Sequence, residues 1–374
     1  MGYVKACIYL DNSATSRFKP RAVVKAVERE LKCSANAGRG GHKASVRAGM
    51  MIEECRERIR AVTFDGYAVM TKSCTEALNT AIFGRNYFGK IITSVYEHNS
   101  VLRPLEKLRA KGANVVHISS PNGVISPDIL KAHLSADTSL VVLSEMSNVT
   151  GTIQPIDELG ALLNSKGIPF IVDAAQSLGH TSSAYTGVTM LAGAGHKGLH
   201  GPQGTGFLVF RQGAEPMPLI YGGTGTDSAS LVQPSAPPEG LESGTLNAAG
   251  IAGLQEGIRW TLKHKENIVS KITELSSELT EGLKSIPSVK LYSDNANGVI
   301  SFNVGDLTSS ETADILDAEY GIAVRAGLHC APLIHKWLGT LRRGAVRASI
   351  GVCNTSKDVE ALLRAVSAIA ARKG

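Results

Sequence analysis

Short apolar runs ending in polar residues recur along the chain at 67–71, 90–94, 114–118, 140–144, 169–173, 188–192 and 206–210. Runs of this length, with no polar residue on alternate positions, are what strands buried on both faces require. Between several of them, segments 74–83, 100–111, 127–134 and 156–165 space their apolar residues as helices do. Strand and helix in alternation predict a largely parallel sheet flanked by helices. The stretch 217–245 is rich in Gly, Pro and Ser and has no period, whereas 247–284 reads as a long helix or a helix pair. The change of domain is placed there. Apolar runs at 289–292, 299–304 and 345–350 then alternate with helical stretches at 310–319 and 356–371, which predicts a smaller α/β domain.

The chain has 374 residues, 43% of them hydrophobic, enough for a large core divided between two or three domains. Its formal charge of +6 is spread over 39 basic and 33 acidic residues without a long basic run. A nucleic-acid groove is not indicated; a small anionic ligand suits the excess. Cysteines stand at positions 7, 33, 55, 74, 330 and 353 with no C-x-x-C spacing, so neither a metal site nor structural disulfides are expected. All but Cys330 read as small buried hydrophobes. The chain opens without a charged leader and apolar core, and no stretch approaches eighteen apolar residues. A cytoplasmic protein with no membrane contact is expected.

The strongest chemical signal is the glycine-rich run from Ala192 to Gly204 around Lys197, directly after an expected strand. Glycine lets backbone approach a ligand closely, and a lysine in a desolvated or cationic setting can serve as a nucleophile and then move a proton. A surface turn with an ordinary lysine is the plainer alternative. Asp173 ends an apolar strand, where open α/β sheets bind ligands, with Gln176 three residues on; capping the next helix is its alternative. The run Ser73-Cys74-Thr75 passes from strand into a helix start that offers hydroxyls and free N–H groups to a phosphate, or merely caps the helix. No G-x-x-x-x-G-K-[ST] loop occurs. His98, Asn148 and Thr245 lie in polar loops that are unremarkable one at a time. Near the end, Arg325-Ala-Gly-Leu-His329-Cys330-Ala-Pro332 sets a cysteine beside two potential cations, which stabilise a thiolate, and Arg347 follows.

Taken in order, His98, Asn148, Asp173, Gln176, Lys197, Thr245, Cys330 and Arg347 resemble the class V aminotransferase superfamily of fold-type I pyridoxal-phosphate (PLP) enzymes. The likeness is closest to cysteine desulfurases and selenocysteine lyases, and runs from Tyr9-Leu-Asp-Asn-Ser-Ala-Thr15 and Asn36-Ala-Gly-Arg-Gly-Gly-His42 to Arg347. It implies a mainly parallel seven-stranded sheet in a PLP-binding domain over 14–250, with 1–13 and 251–374 forming the smaller domain that carries the cysteine loop. It implies Lys197 as the Schiff-base lysine and His98 as a ring-stacking catalytic residue. Asn148 would support the ring and the substrate, while Asp173 and Gln176 would hold the ring nitrogen and phenolic oxygen. Thr75 and His196, beside Cys74, would bind phosphate, with Thr245 reaching across a homodimer to the partner's phosphate. Arg347 would clamp the substrate carboxylate, and Arg325 would sit near the cysteine loop.

The form R-x-G-x-H-C-A, with Arg347 seventeen residues beyond Cys330, resembles the short-loop group that relies on a sulfur-acceptor protein. Cys74 stands where threonine is usual, and Ala194 where a serine or threonine often binds phosphate. The reaction implied converts L-cysteine to L-alanine and leaves a persulfide on Cys330. The alternatives are a selenocysteine lyase, another class V aminotransferase or C–S lyase, and a non-enzymatic persulfide carrier. Retention of both Lys197 and Asp173 argues against the last.

Overall fold

The computed structural model describes residues 8–37, 40–293 and 297–372. Its strands, in chain order, are β1 (Ile8–Tyr9), β2 (Tyr67–Thr71), β3 (Lys90–Ser94), β4 (Asn114–Ile118), β5 (Thr138–Ser144) and β6 (Phe170–Asp173). They continue as β7 (Met190–Ala194), β8 (Gly206–Phe210), β9 (Val289–Leu291), β10 (Val299–Val304), β11 (Ile322–Ala323) and β12 (Val346–Ser349). Strands β2 to β8 form the expected seven-stranded sheet in the order β2-β8-β7-β6-β5-β3-β4. It is parallel except at β8, which runs antiparallel to both neighbours. Every residue of β6, β7 and β8 is buried, so these strands read as continuous apolar runs. Strand β7 starts at Met190 rather than 188, because Val188 donates its N–H to the Tyr185 carbonyl in a turn that precedes it.

Helices cover both faces of this sheet. Leu78 and Ile82 of the helix Cys74–Phe83, with Val101 and Leu105 of Asn99–Arg109, pack with Val69, Ile91 and Leu140. On the other face, Ile156, Leu159 and Leu163 of the helix Ile156–Asn164 pack with Val141, Leu143 and Val172.

The 247–284 pattern is one helix, Ala248–Lys284. Ile251, Leu254 and Ile258 in its first half join the core of the large sheet. Ile268, Ile272, Leu275, Leu279 and Leu283 in its second half join a separate core against β10 and β12. That core belongs to an antiparallel sheet, β12-β10-β9, and β1 pairs in parallel with β11 beside it. The segment 217–245 has, among the described residues, only the single turn Glu239–Leu241 as regular structure, and it exposes Tyr221, Leu231 and Val232.

The glycine run around Lys197 is required by packing. A Cβ on Gly198 would lie 2.2 Å from the Leu178 carbonyl oxygen, and one on Gly193 would lie 2.2 Å from the Phe207 ring. A backbone carbonyl cannot move aside as a flexible side chain can. Gly198→Ala is therefore expected to lower the unfolding free energy by about 1–3 kcal/mol, an overpacking cost. Urea denaturation measures it, and an unchanged midpoint would contradict the close packing of this loop.

Candidate active site

Five strands of the large sheet end at one place. Beyond β2 lie Ser73, Cys74 and Thr75; beyond β3, His98; beyond β5, Asn148; at the end of β6, Asp173; and beyond β7, His196 and Lys197. Because β2, β3, β5, β6 and β7 run the same way, their carboxyl ends share one edge, where open α/β sheets bind ligands. Arg347 of β12 and Arg325, His329 and Cys330 of the segment after β11 close the opening. The cavity so formed has a volume of about 230 Å³. Its lining contains every candidate residue except Thr245, which lies on a different cavity with Thr71, Lys72 and Glu76.

Lys197 is buried, and loss of solvent pushes its pKa below the ordinary lysine value. Asp173, 5% exposed, opposes that shift, while Arg347 and Arg325 add to it. The Ala175 N–H (2.9 Å) and the Cys74 thiol (3.4 Å) both donate to Asp173 Oδ1. Cys74 therefore faces the carboxylate, and burial holds its thiol in the protonated form. The Gln176 amide donates to the Ser13 carbonyl at 3.1 Å. His98 caps its helix: Nδ1 accepts from the Ser100 N–H at 3.1 Å. Burial lowers the His98 pKa to about 4, so the ring is neutral, and its network assigns the remaining proton to Nε2.

Arg347 is 2% exposed. Its Nη2 donates to Asp11 Oδ1 at 2.9 Å and its Nη1 to the Asn148 carbonyl at 2.9 Å. The backbones of Arg325 and Arg347 pair as an antiparallel bridge, so the two cations are adjacent. Asp11 was not among the candidate residues, though it stands in the Tyr9–Thr15 segment. Glu97 was missed too. It is fully buried, accepting from Ser94 Oγ at 2.5 Å and from the Ser144 N–H and Oγ at 2.8 and 2.6 Å. Burial pushes its pKa up to about 7. Its place next to His98 was the one signal of it in the chain.

Two expectations are corrected. His329 supplies no cation to Cys330: burial, reinforced by Arg347, lowers its pKa to about 2, and its Nε2 bonds to the Ala345 carbonyl at 3.0 Å. One N–H of the Asn148 amide donates to the His329 carbonyl at 2.7 Å. Cys33 and Cys353 are exposed, whereas Cys55 and Cys74 are buried. Cys7, and Gly38 and Arg39 of the Asn36–His42 motif, lie outside the described residues.

The model of the aminotransferase class-V family matches residues 8–362. This chain belongs to the class-V aminotransferases, among the cysteine desulfurases. A Pyrococcus abyssi protein named a probable cysteine desulfurase is 36% identical, over 95% of this chain and 92% of its own. One from Methanothermobacter thermautotrophicus is 34% identical, over 97% and 94%. Among solved structures, the apo cysteine desulfurase of Thermococcus onnurineus superposes with a TM-score of 0.91 at 34% identity, covering 98% of this chain and 95% of that one. An Escherichia coli cysteine desulfurase gives 0.87 at 29%, over 97% and 94%.

The class-V cofactor, pyridoxal phosphate, fits these residues. The N–H groups of Cys74 and Thr75 open a helix and so have no partner within it, which suits an anion. His196 Nδ1 is buried without a partner among the described residues, on the same wall. Ala194 adds no hydroxyl there, and the Cys74 thiol is turned toward Asp173. The phosphate end would thus rest on backbone N–H groups, Thr75 and His196.

Buried neutral histidines tie stability to pH. His200, His329 and His335 have pKa values lowered by burial to about 3, 2 and 4. Below about pH 6.5 the unfolded chain takes up protons that these rings refuse. Stability is therefore expected to hold above about pH 6.5 and to fall as pH drops toward about 4. Each ring contributes at most about 1.4 kcal/mol per pH unit. Glu97, protonated in the folded state up to about pH 7, acts in the opposite sense. Urea midpoints at about pH 7, 6 and 5 check this, and a rise on acidification would refute it.

Proposed function

We propose that this chain is a PLP-dependent cysteine desulfurase that converts L-cysteine to L-alanine and passes the sulfur to Cys330. One observation carries the reading: Lys197, Asp173, Arg347 and Cys330 line a single cavity. When bound, the cofactor takes up the electron pair left at the substrate α-carbon after proton removal, an effect that a carboxylate beside its ring nitrogen sustains. Asp173 is the carboxylate available, and Cys74 and the Ala175 N–H fix its orientation. Lys197 holds the cofactor, and burial lowers the proton affinity of its amine, the direction that favours its removing and returning a proton. Neutral His98 presents Nε2–H as a donor. Arg347, already bound to Asp11 through one nitrogen, keeps donors for the substrate carboxylate.

Cys330 sulfur attacks the substrate sulfur as the carbon–sulfur bond breaks. L-cysteine and the Cys330 thiol become L-alanine and a Cys330 persulfide, with one thiol hydrogen ending on the alanine methyl group. A sulfur-acceptor protein would then take the persulfide from the exposed side of Cys330. We take 14–250 as the cofactor-binding domain and 1–13 with 251–374 as the domain carrying the cysteine; the second core against β10 and β12 supports a smaller domain, although Ile251, Leu254 and Ile258 pack with the large sheet. The same reading makes the protein a homodimer, supported by Thr245 lying off the cavity and by the exposed Tyr221, Leu231 and Val232 in its segment. Exposed free thiols at Cys33 and Cys353 favour a reducing cytoplasm. No helix among the described residues is long and apolar enough to cross a membrane.

Incubation with L-cysteine and L-selenocysteine separately, with alanine quantified and Cys330 examined for a persulfide, tests the reaction. Alanine from selenocysteine alone would assign the chain to the selenocysteine lyases. Cys330→Ala is expected to bind PLP normally and to lose alanine formation from L-cysteine by on the order of a hundredfold or more. Borohydride reduction and peptide mapping should place the cofactor on Lys197. Its recovery on another lysine would overturn that assignment.

A further inference from the structure

His329 and Cys330 both lie in the left-handed region, with φ of 50° and 57°. One non-glycine residue there is uncommon, and two in succession persist only where surrounding contacts hold them. Two contacts from the large-sheet half do so, one on each carbonyl. Asn148 Nδ2–H donates to the His329 carbonyl at 2.7 Å, and the Asn99 N–H donates to the Cys330 carbonyl at 2.6 Å.

Each donor is itself fixed. Asn99 is the first residue of its helix, so its N–H has no partner within the helix and is free to bind outside it. Asn148 sits in a tight loop in which Met146 bridges Ile153, Ser147 N–H donates to Thr152, and Gly151 N–H returns to Ser147. Ser301 Oγ donates to the Val149 carbonyl at 2.5 Å, and the Asn148 carbonyl accepts from Arg347.

We infer that the Asn99 N–H and the Asn148 amide are positioning groups that hold the Cys330 turn left-handed across the cavity, so that sulfur transfer depends on them while proton transfer at Lys197 does not. The inference rests on the desulfurase reading for its catalytic consequence only. The thiol must reach the substrate sulfur along one line, and displacement of a reacting atom by about 1 Å costs on the order of a hundredfold in rate. Exchange of the α-proton of L-alanine needs Lys197 and no sulfur nucleophile.

Asn99→Pro deletes the one N–H. Proline is tolerated at the first position of a helix, and His98, with φ −72° and ψ 157°, already has the conformation a following proline demands. Asn99→Ala keeps the N–H and controls for the side chain. In the PLP-loaded enzyme, Asn99→Pro is expected to lower alanine formation from L-cysteine by about tenfold to a hundredfold while L-alanine α-proton exchange in deuterated water stays at the unaltered rate. Asn99→Ala should leave both rates in place. Asn148→Ala is expected to lower desulfuration at least about tenfold further than it lowers exchange.

Desulfuration unchanged in Asn99→Pro, or desulfuration and exchange falling together in either donor deletion, would overturn the inference. A second measurement needs neither substrate nor a variant. The Asn99 amide, unprotected in an ordinary helix start, should exchange slowly with deuterium in the unaltered protein, and free exchange there would also overturn it. An unaltered enzyme that makes no alanine from cysteine but protects this amide would defeat the proposed reaction and leave the turn as described.

Discussion

A lysine amine taken out of water beside one buried carboxylate is the constraint on which the rest of this site depends. Burial lowers the proton affinity of Lys197, and Asp173 limits the fall. Asp173 is in turn held by the Ala175 N–H and a thiol that itself stays protonated. That balance exists only because β6 and β7 are parallel neighbours: Asp173 pairs with Ala192, and the chain then runs on to Lys197. The glycines around Lys197 let its loop lie against the Leu178 carbonyl and the Phe207 ring. Without that close approach the amine would be solvated and would remain an ordinary cation.

Besides the long helix shared by both cores, a chain of polar contacts joins the second half of the molecule to this constraint. Asp11, carried beside β12 by the pairing of β1 with β11, binds Arg347; Arg347 binds the Asn148 carbonyl; and Asn148 binds the carbonyl preceding Cys330. Ser16 and Lys19, a little further along the N-terminal segment, both donate to the His196 carbonyl at 3.1 Å. The segment 11–19 therefore touches both the arginine of the small sheet and the peptide next to Lys197. Ala331 and Ile334, directly after the cysteine turn, pack into the same core as Leu178 and Leu199 beside the lysine loop, so apolar packing joins the two as well as polar contacts.

Much of this was legible along the chain. The apolar runs marked the strands because a strand buried on both faces admits almost no polar residue, as β6 to β8 illustrate. The loops at Ser73, His98, Asn148, Asp173 and Lys197 each follow such a strand, and a parallel sheet brings those ends together. What could not be read was local environment. His329 looked like a cation for Cys330, yet burial leaves it neutral. Cys33 and Cys353 looked like core cysteines but lie at the surface. Glu97 carried no signal of its fully enclosed carboxyl, because a sequence does not reveal which side of a loop faces protein and which faces water.

By itself the sequence determined the strands of the large sheet and the helices between them, the glycines that permit close approach at Lys197, and the residue types available for chemistry, but not the helices Arg21–Lys32 and Lys43–Ala61. These follow from periodicity and from what each side chain can do, which are properties of the chain alone. Only the tertiary structure decided the pKa shifts of His98, His329, Glu97 and Lys197, the hydrogen bond of Asn148 to the cysteine turn, the pairing of Asp11 with Arg347, and the left-handed backbone at His329 and Cys330. Each of those depends on desolvation or on a hydrogen-bond partner distant along the chain, and neither exists until the sheet, the long helix and the small core have assembled.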